Sequence, residues 1–395
     1  MTKQQTLKKE LIRHLYYRGQ LTIPTMSKIM HLTVPTVGKL VEELLHEQLV
    51  VVRDKAASNG GRRAFNYALN PGAAYCVVAC IERFTMRIAI ANLGNEFITP
   101  VTSVNIGIST PNEMLKMLQK QVRAVINDSG INRKLIMGIG VAVPGLVDKH
   151  SGINYSYFGN TDRSLTEIFS KMFPYPVLVQ HDLNVMTRAE HVLGTGRGVE
   201  NMLYLHVGAT GIGLGVILNG ELYLGSEGFV GEVGHIPVAD SDKLCHCGKT
   251  GCLETEVSEA ALTAKVVEGV QGGASTTLSR YVKAGKHTLT LQHLLQALSL
   301  GDPFVIGLFA QMAKPLGKAI TIVLHLLNPK MIVLGGELSA AQQHLLLPTL
   351  QQLHKYALPQ LLKHCKISIS TLGNNAPLLG NISFMLECEK GGYPF

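Results

Sequence analysis

The chain has 395 residues, of which 46% are hydrophobic and 16% are charged. At roughly 100–200 residues per domain, this length predicts two or three domains with full-sized hydrophobic cores. With 40 Gly and 16 Pro the composition excludes collagen and low-complexity proteins, and the mixture of charged with apolar residues excludes a disordered chain. The seven cysteines are too sparse and uneven for a disulfide framework, which favours a reducing compartment.

The sequence has no pattern typical of a membrane segment. The first residues are polar and lack the apolar core of a secretory signal. Asn201–Gly220 is a long stretch without Asp, Glu, Lys or Arg, and its five Gly predict two strands and a turn rather than a spanning helix. Ala319–Leu327 is apolar but too short to span. We therefore expect a cytoplasmic protein without membrane insertion.

Positive charge is concentrated near the N-terminus. The net charge of the whole chain is +8, and residues 1–70, with eleven Lys or Arg and five Asp or Glu, account for +6 of it. This asymmetry favours a polyanion partner for that segment, although a solvated basic surface would give the same count.

The same segment has the pattern of three helices and a hairpin. Leu7–Tyr17 has apolar residues at helical spacing, and Thr22 and Thr33 are predicted to cap the second and third helices, each with a Pro in its first turn. Strands are predicted at Leu49–Val52 and Ala64–Leu69. These elements together predict a winged helix-turn-helix. The predicted inward stripe of the third helix consists of Val34, Val37, Leu40, Val41, Leu44 and Leu45.

In such a domain the first residues of the third helix meet base edges and the wing approaches the minor groove. Thr36 suits a base edge or a thymine methyl, and Lys39 suits guanine or a phosphate. Gly38 lies on the same face, at a cost of about 1 kcal/mol in helix propensity, and close approach to DNA would explain it. A small domain that binds protein is the alternative. The predicted DNA contacts are Thr33, Pro35, Thr36, Lys39, Arg53, Lys55, Arg62 and Arg63.

A cysteine cluster predicts a metal site. Cys245, Cys247 and Cys252 lie within eight residues, where Gly permits tight turns, and a closed tetrahedral zinc site needs a fourth ligand. His246 lies between two ligands and is expected to point away, whereas His235 can fold back from ten residues upstream. We predict a structural Cys3His zinc site at these three cysteines and His235. An iron–sulfur site, which would call for a fourth Cys, and free thiols are the alternatives.

Two carboxylates flank this cluster and one follows a predicted strand. Glu232 precedes His235 by three residues, and Glu254 follows Cys252 by two. Carboxylates tied to one rigid loop are suited to accept hydrogen bonds from sugar hydroxyls. Asp182 comes after the predicted strand Pro176–Gln180, at the carboxyl end where α/β proteins place site residues. It is a candidate general base or hydroxyl acceptor, and also the N-cap of a helix predicted to begin near Val185.

The chain resembles the ROK family of repressors and sugar kinases over nearly its whole length after about residue 73. The resemblance rests on the segments VAVPGLVD, QHDLN, GATGIGLG, GEVGH, CHCGKTGCLE and LNPKMIVLGGELS. The N-terminal helices resemble the branch of xylose-, N-acetylglucosamine- and glucose-responsive repressors. The resemblance implies a two-lobed actin-like (ribonuclease H-like) α/β fold, zinc at the residues named above, and a sugar-binding cleft. It also implies that Glu232, His235 and Glu254 contact the sugar and that Asp182 corresponds to the catalytic base.

The chain departs from the family's kinases at one place. Those kinases carry an Asp-x-Gly-Gly-Thr phosphate loop, whereas the matching stretch Tyr75–Ile90 has neither Asp nor Gly, and its one acid is Glu82. Without Gly, backbone amides cannot close on phosphate oxygens. We therefore expect a protein that is not an enzyme, with Asp182 as a vestigial base.

The expected domains are a DNA-binding domain (1–72), a first lobe (73–185, with a C-terminal helix in 376–395) and a second lobe with the zinc loop (186–375). We expect a homodimer or homotetramer that binds operator DNA and represses genes of carbohydrate metabolism or transport. We expect its effector to be a sugar or sugar phosphate, whose binding closes one lobe on the other. An active ATP-dependent sugar kinase and a regulator that answers to a partner protein are the alternatives.

Overall fold

The computed structural model of the chain describes residues 2–55, 64–107, 110–148, 150–156, 158, 163–209, 211–238, 241–283 and 289–388. The chain divides into two compact units. The first comprises Met1–Val147, Ser151–Val185 and Pro377–Phe395, and the second comprises Asp148–His150 and Met186–Ala376.

The first unit begins with three helices and a small antiparallel sheet in the order β1-β3-β2. Thr22 and Thr33 cap the second and third helices as predicted, because each hydroxyl accepts a hydrogen bond of 3.3 Å from the backbone N–H three residues later. The elements are α1 (Lys3–Arg18), β1 (Leu21–Thr22), α2 (Ile23–Ile29), α3 (Val34–His46), β2 (Val50–Lys55) and β3 (Phe65–Leu69).

Four residues of the predicted stripe of α3 are buried, whereas Leu45 is half-buried and Val34 is exposed. Val37 and Leu44 are fully buried, and Met26 of α2 is buried with them. Val34 is 50% exposed, so the prediction that it faces inward is wrong. As the first residue of α3 it lies at the end of the stripe, next to the exposed cap residue Thr33.

A five-stranded sheet forms the rest of the first unit, in the order β6-β5-β4-β7-β8. Strands β4, β7 and β8 are parallel, and β5 is antiparallel to β4 and β6. The elements are β4 (Tyr75–Ile81), β5 (Thr85–Asn92), β6 (Thr102–Asn105), α4 (Pro111–Asp128), β7 (Ile136–Val143), α5 (Leu165–Ser170), β8 (Val177–His181), the start of α6 (Asp182–Val192) and, from the C-terminal end of the chain, α13 (Ala376–Glu387).

Helix α13 packs closely on this sheet because β7 has glycine at the two positions that lie against the helix, Gly138 and Gly140. A Cβ atom on Gly140 would lie 2.6 Å from the Cβ atom of Asn381, and one on Gly138 would lie 2.1 Å from the Cε atom of Met385. Asn381 is 1% exposed and donates a hydrogen bond of 3.4 Å to the carbonyl oxygen of Ala79 in β4. The sequence-predicted C-terminal helix is therefore confirmed and ends at Glu387.

The second unit has a five-stranded sheet in the order β11-β10-β9-β12-β13, with β9, β12 and β13 parallel and β10 antiparallel to both neighbours. The elements are β9 (Met202–Val207), β10 (Ile212–Leu218), β11 (Glu221–Leu222), α7 (Glu259–Gln271), α8 (Ser279–Lys283), α9 (Leu291–Ser299), α10 (Pro303–Leu327), β12 (Met331–Gly335), α11 (Gln343–Tyr356), α12 (Pro359–His364) and β13 (Lys366–Ile369).

The two large sheets share one topology. In each, an antiparallel meander of three strands is extended by two later strands that run parallel to the first. The stretch Asn201–Gly220 is the hairpin of β9 and β10, as its glycines predict. Among the described residues no single helix is long and apolar enough to cross a membrane, and only α9 and α10, taken as a pair bent by 113°, reach that length and composition.

Candidate functional site

The start of α3 presents the four residues that the sequence predicts as base contacts. Thr33, Pro35, Thr36 and Lys39 are all exposed. The hydroxyl oxygens of Thr33 and Thr36 lie 2.7 Å apart and share a hydrogen bond. The backbone N–H of Thr36 also donates to Thr33 Oγ1 at 3.3 Å. Both hydroxyls therefore have partners within the cap of the helix.

The predicted wing residues fall into two groups. Arg53 and Lys55 lie on β2 and are exposed. The Nζ atom of Lys55 stands 5.4 Å from the ring centroid of Phe65, which is 44% exposed on the paired strand β3. Arg62 and Arg63 lie outside the described residues.

Two glycines place the Glu232–His235 segment against β10. The residues Val233–His235 form a 3-10 turn. A Cβ atom on Gly231, whose φ is +93°, would lie 1.8 Å from the carbonyl oxygen of Leu214, and one on Gly234 would lie 2.5 Å from that of Ile212. Only glycine permits so close an approach to a strand. The turn is therefore held on the sheet, with the side chains of Glu232 and His235 at its two ends.

The three cysteines and His235 meet at one point. One ligand atom from each of these four side chains lies within 4.8 Å of the others. The Sγ atoms of Cys247 and Cys252 are 3.7 Å apart, and the Nδ1 atom of His235 is 3.6 Å from the Sγ atom of Cys245. Tetrahedral zinc with bonds of about 2.3 Å to sulfur and about 2.0–2.1 Å to nitrogen requires separations of about 3.7 and 3.5 Å. The four residues therefore fit a zinc ion.

The loop that carries the cysteines is closed by backbone contacts. The N–H of Cys245 donates to the carbonyl oxygen of Lys249 at 2.8 Å, and Gly248 and Gly251 turn the chain with φ angles of +82° and +74°.

The environment of the loop changes the pKa values of two of its thiols. Burial raises the pKa of the Cys245 thiol to about 12. A hydrogen bond from the backbone of Lys249 lowers the pKa of Cys247. Cys245 therefore keeps its proton at neutral pH without a cation, and a divalent cation held there would have to displace that proton.

Glu254 lies beside the cluster and contacts both histidines. Its Oε1 atom is 2.8 Å from the Nδ1 atom of His246, 3.8 Å from that of His235, and 2.8 Å from the Sγ atom of Cys245. The side chain of His246 is 72% exposed, whereas that of Glu254 is 10% exposed. On the other side of His235, its Nε2 atom is 4.0 Å from Glu232 Oε2. Glu232, His235 and Glu254, which the sequence predicts as sugar contacts, therefore lie together in the second unit.

Asp182 is the first residue of α6, three positions before the predicted helix start near Val185, so that start is wrong. An acidic side chain in the first turn stabilises the positive end of the helix dipole, and the Asp182 carboxylate accepts a hydrogen bond of 2.7 Å from the N–H of Leu183. Its Oδ1 atom also lies 3.3 Å from His181 Nε2. The side chain is 25% exposed at the carboxyl end of β8, in the first unit.

The turn between β4 and β5 is a tight hairpin with no glycine. The N–H of Glu82 donates to the carbonyl oxygen of Thr85 at 2.8 Å, so that only Arg83 and Phe84 form the loop. The Glu82 carboxylate accepts hydrogen bonds from Arg87, with the Nε atom at 2.8 Å, and from the Thr85 hydroxyl. The carboxylate is thus held by an arginine on the adjacent strand, a partner that sequence reasoning missed.

Two segments that carry the family resemblance, GATGIGLG and LNPKMIVLGGELS, meet in the second unit. The turn between β9 and β10 carries Ala209, whose N–H donates to Glu337 Oε2 at 3.0 Å. Glu337 follows β12, and its Oε2 atom also lies 3.9 Å from His206 Nε2. The backbone amide of Ala209 is therefore hydrogen-bonded to a carboxylate. The two residues are 128 positions apart, and nothing local in the sequence pairs them.

Two sheets of one topology, each with helices after its parallel strands, define an actin-like α/β protein of the sugar-kinase type. Residues 86–387 match the model of the ROK family. The chain belongs to the ROK family, as the motifs of the sequence predict.

Some relatives of this chain are named repressors and others are named kinases. A xylose repressor of Caldicellulosiruptor bescii is 27% identical over 92% of this chain and 90% of its own length. A glucokinase of Halalkalibacterium halodurans is 36% identical over 62% of this chain and 74% of its own. The crystal structure of a ROK family transcriptional regulator, a homologue of the E. coli MLC protein, has a TM-score of 0.80 at 26% identity and covers 98% of both chains.

Proposed function

We propose that this protein is a sugar-responsive transcriptional repressor that binds operator DNA through a winged helix-turn-helix in residues 1–72 and acts in the cytoplasm. The observation that carries the proposal is the exposed start of α3, with Thr33, Pro35, Thr36 and Lys39 at the surface of a segment with net charge +6. In a helix-turn-helix these positions face the major groove, and Arg53 and Lys55 on β2 suit phosphate contacts. The xylose repressor relative supports this function because its match covers 92% of this chain and so must include part of residues 1–72.

The Cys3His cluster is proposed to hold one structural zinc ion. Cys245, Cys247, Cys252 and His235 complete a tetrahedral set, so no coordination position is left for a reacting molecule. The zinc would link the cysteine loop to the 3-10 turn and fix the positions of Glu232 and Glu254. We do not assign it a step in a reaction.

The proposed effector is a sugar or a sugar phosphate. Glu232 and Glu254 would accept hydrogen bonds from sugar hydroxyls, and His235 would offer Nε2 for a further one while Nδ1 faces the metal. Asp182 is proposed as another hydroxyl acceptor, on the family resemblance. Effector binding would change the spacing of the two DNA-binding domains of a homodimer or homotetramer. A coupling of 1–3 kcal/mol changes operator affinity by about 5–150-fold.

Phosphoryl transfer is proposed to be absent. The hairpin after β4 has bulky Arg83 and Phe84 where a phosphate loop needs glycine, and Glu82 is held by Arg87 and Thr85. An ATP-dependent sugar kinase is the second candidate, favoured by Asp182 at the carboxyl end of β8 and by the glucokinase relative.

The test combines effector and operator binding on the full-length protein. A thermal-shift screen of monosaccharides and their phosphates should yield a ligand that raises the melting temperature. That ligand should change affinity for genomic DNA fragments enriched by the protein. Glu232→Gln should lose the response to the sugar but keep its metal, whereas Glu227→Gln, an exposed neighbour, should behave as wild type. If no sugar alters stability or DNA affinity, while a captured protein does, the sugar proposal fails.

A further inference from the structure

Helix α3 contains a glycine that the protein's own packing does not require. Gly38 lies in the middle of this 13-residue helix, and a Cβ atom built on it would meet nothing within 4 Å. Its backbone is helical and its φ angle is negative, so the conformation itself does not require glycine. Glycine there costs about 1 kcal/mol relative to alanine, with no contact inside the molecule to offset that cost. The open space at Gly38 therefore points to an approach from outside.

The residue one helical turn before Gly38 presents an apolar surface. Val34 is 50% exposed, and positions four apart lie side by side on a helix. Pro35 next to it has no backbone donor. The hydroxyls of Thr33 and Thr36 hydrogen-bond each other at 2.7 Å and so have less capacity for base edges. The first turn of α3 thus offers methyl groups rather than free donors.

The charges around this strip limit what can approach it. Lys39 is exposed beside Gly38, in a segment whose net charge is +6. One turn beyond Gly38, Glu42 is also exposed, and its carboxylate is repelled by phosphates. Close approach of DNA is therefore confined to the N-terminal half of the helix, the part that meets base edges in helix-turn-helix proteins.

We propose that α3 reads thymine methyl groups in the major groove, with Val34 packed against a thymine C5-methyl and Gly38 allowing the helix backbone to approach the base edge. Thymine is the base that displays a methyl group in the major groove, and apolar side chains recognise it there. This inference rests on the proposed DNA-binding function and adds to it the chemistry by which the operator sequence is distinguished.

Base analogues test this contact directly. Duplexes that the full-length protein selects from a random pool should carry thymine at fixed half-site positions. Replacing each thymine by deoxyuracil removes the methyl and keeps every hydrogen-bonding group. At the position that Val34 contacts, affinity should fall about fourfold, which corresponds to the ~0.8 kcal/mol of one buried carbon. Failure to enrich any sequence overturns both the DNA-binding proposal and this inference. Deoxyuracil without effect at every position overturns the inference alone.

Two substitutions with a matched control separate contact from folding. Gly38→Ala should raise the melting temperature, because alanine favours a helix and the space is open, yet lower operator affinity on the order of tenfold. Gly307→Ala in α10, where a Cβ atom also meets nothing within 4 Å, should stabilise the protein without changing DNA affinity. Val34→Ala should weaken binding to the thymine duplex but not to the deoxyuracil one. Wild-type operator affinity in Gly38→Ala, or an equal loss on both duplexes in Val34→Ala, contradicts the proposal.

Discussion

The Nδ1 atom of His235 lies 3.6 Å from the Sγ atom of Cys245, a separation that fits two ligands of one tetrahedral zinc ion. Ten residues separate the two in sequence, and the 3-10 turn held on β10 by Gly231 and Gly234 brings them together. A zinc ion bound by these two residues and the other two cysteines would link the cysteine loop to the turn that carries Glu232.

Cys247→Ser should reduce bound zinc from about one ion per chain to a small fraction, since a neutral hydroxyl is a poor replacement for a thiolate. Loss of the link between loop and turn should destabilise the second unit. We expect the melting temperature to fall by roughly 5–10 °C, as for a loss of about 2–3 kcal/mol. Elemental analysis and thermal unfolding measure both effects, with Cys388→Ser, outside the cluster, as the control. Unchanged metal content would refute the site.

The two histidines should differ in their effect on metal content. His235→Ala removes the fourth ligand and should release zinc at low chelator concentrations. His246→Ala should retain it, because the His246 side chain is 72% exposed and its Nδ1 atom contacts Glu254 at 2.8 Å. Zinc release measured with a chromogenic chelator compares them. The opposite order would mean that His246 is the ligand.

The features that the sequence predicts well depend on contacts between residues that are close together in the chain. The caps at Thr22 and Thr33 and the cysteine loop depend on contacts within a few residues, and the structure places these elements as predicted. Val34 shows where the periodicity argument fails, because a stripe predicts which face is inward and not how far the neighbouring elements extend over it. Exposure at a helix end is a tertiary property.

Two hydrogen-bonded pairs were not predicted from the sequence for a related reason. The side chain of Arg87 reaches Glu82 because the β4–β5 hairpin turns within two residues and places Arg87 opposite Cys80 on β4. The pairing of Ala209 with Glu337 joins two loops at the ends of β9 and β12. Strand spacing predicts the sheet, but the register that decides such pairs depends on turns that the sequence alone does not specify.

The hairpin after β4 predicts that this protein does not transfer phosphate. A coupled assay with ATP, magnesium and a sugar panel should detect no ADP release above the hydrolysis blank. Turnover near 1 s⁻¹, at the low end for enzymes, would contradict the proposal. If such turnover is abolished in Asp182→Asn, the activity belongs to this chain and not to a contaminant.

The ion pairs of Lys8 predict a dependence of stability on acid pH. The Nζ atom of this buried lysine lies 3.0 Å from Glu43 Oε2 and 2.5 Å from Glu47 Oε1. The hydrogen bond from Lys8 lowers the pKa of Glu43, so its carboxylate stabilises the fold above its unfolded pKa of about 4.3. That contribution is lost as the pH falls through the lower folded pKa.

Lys8→Met should therefore lower the free energy of unfolding at pH 7 by up to about 1 kcal/mol, a small effect because both carboxylates are partly solvated. Below the folded pKa of Glu43 the difference from wild type should shrink. Urea unfolding between pH 7 and pH 3 measures it, with Lys3→Met on the same helix as an exposed control. A difference that grows as the pH falls would contradict the sign of this argument.

The exposed cations of β2 predict the salt dependence of operator binding. Arg53 and Lys55 are expected to neutralise phosphates, and each phosphate contact contributes about −0.9 to the slope of log affinity against log salt concentration. Replacing both by alanine should weaken binding similarly for all sequences and make the slope less steep by about 1.8. Fluorescence anisotropy over a salt series measures the slope, with Lys363→Ala in α12 as a control far along the chain. An unaltered slope would remove β2 from the DNA interface.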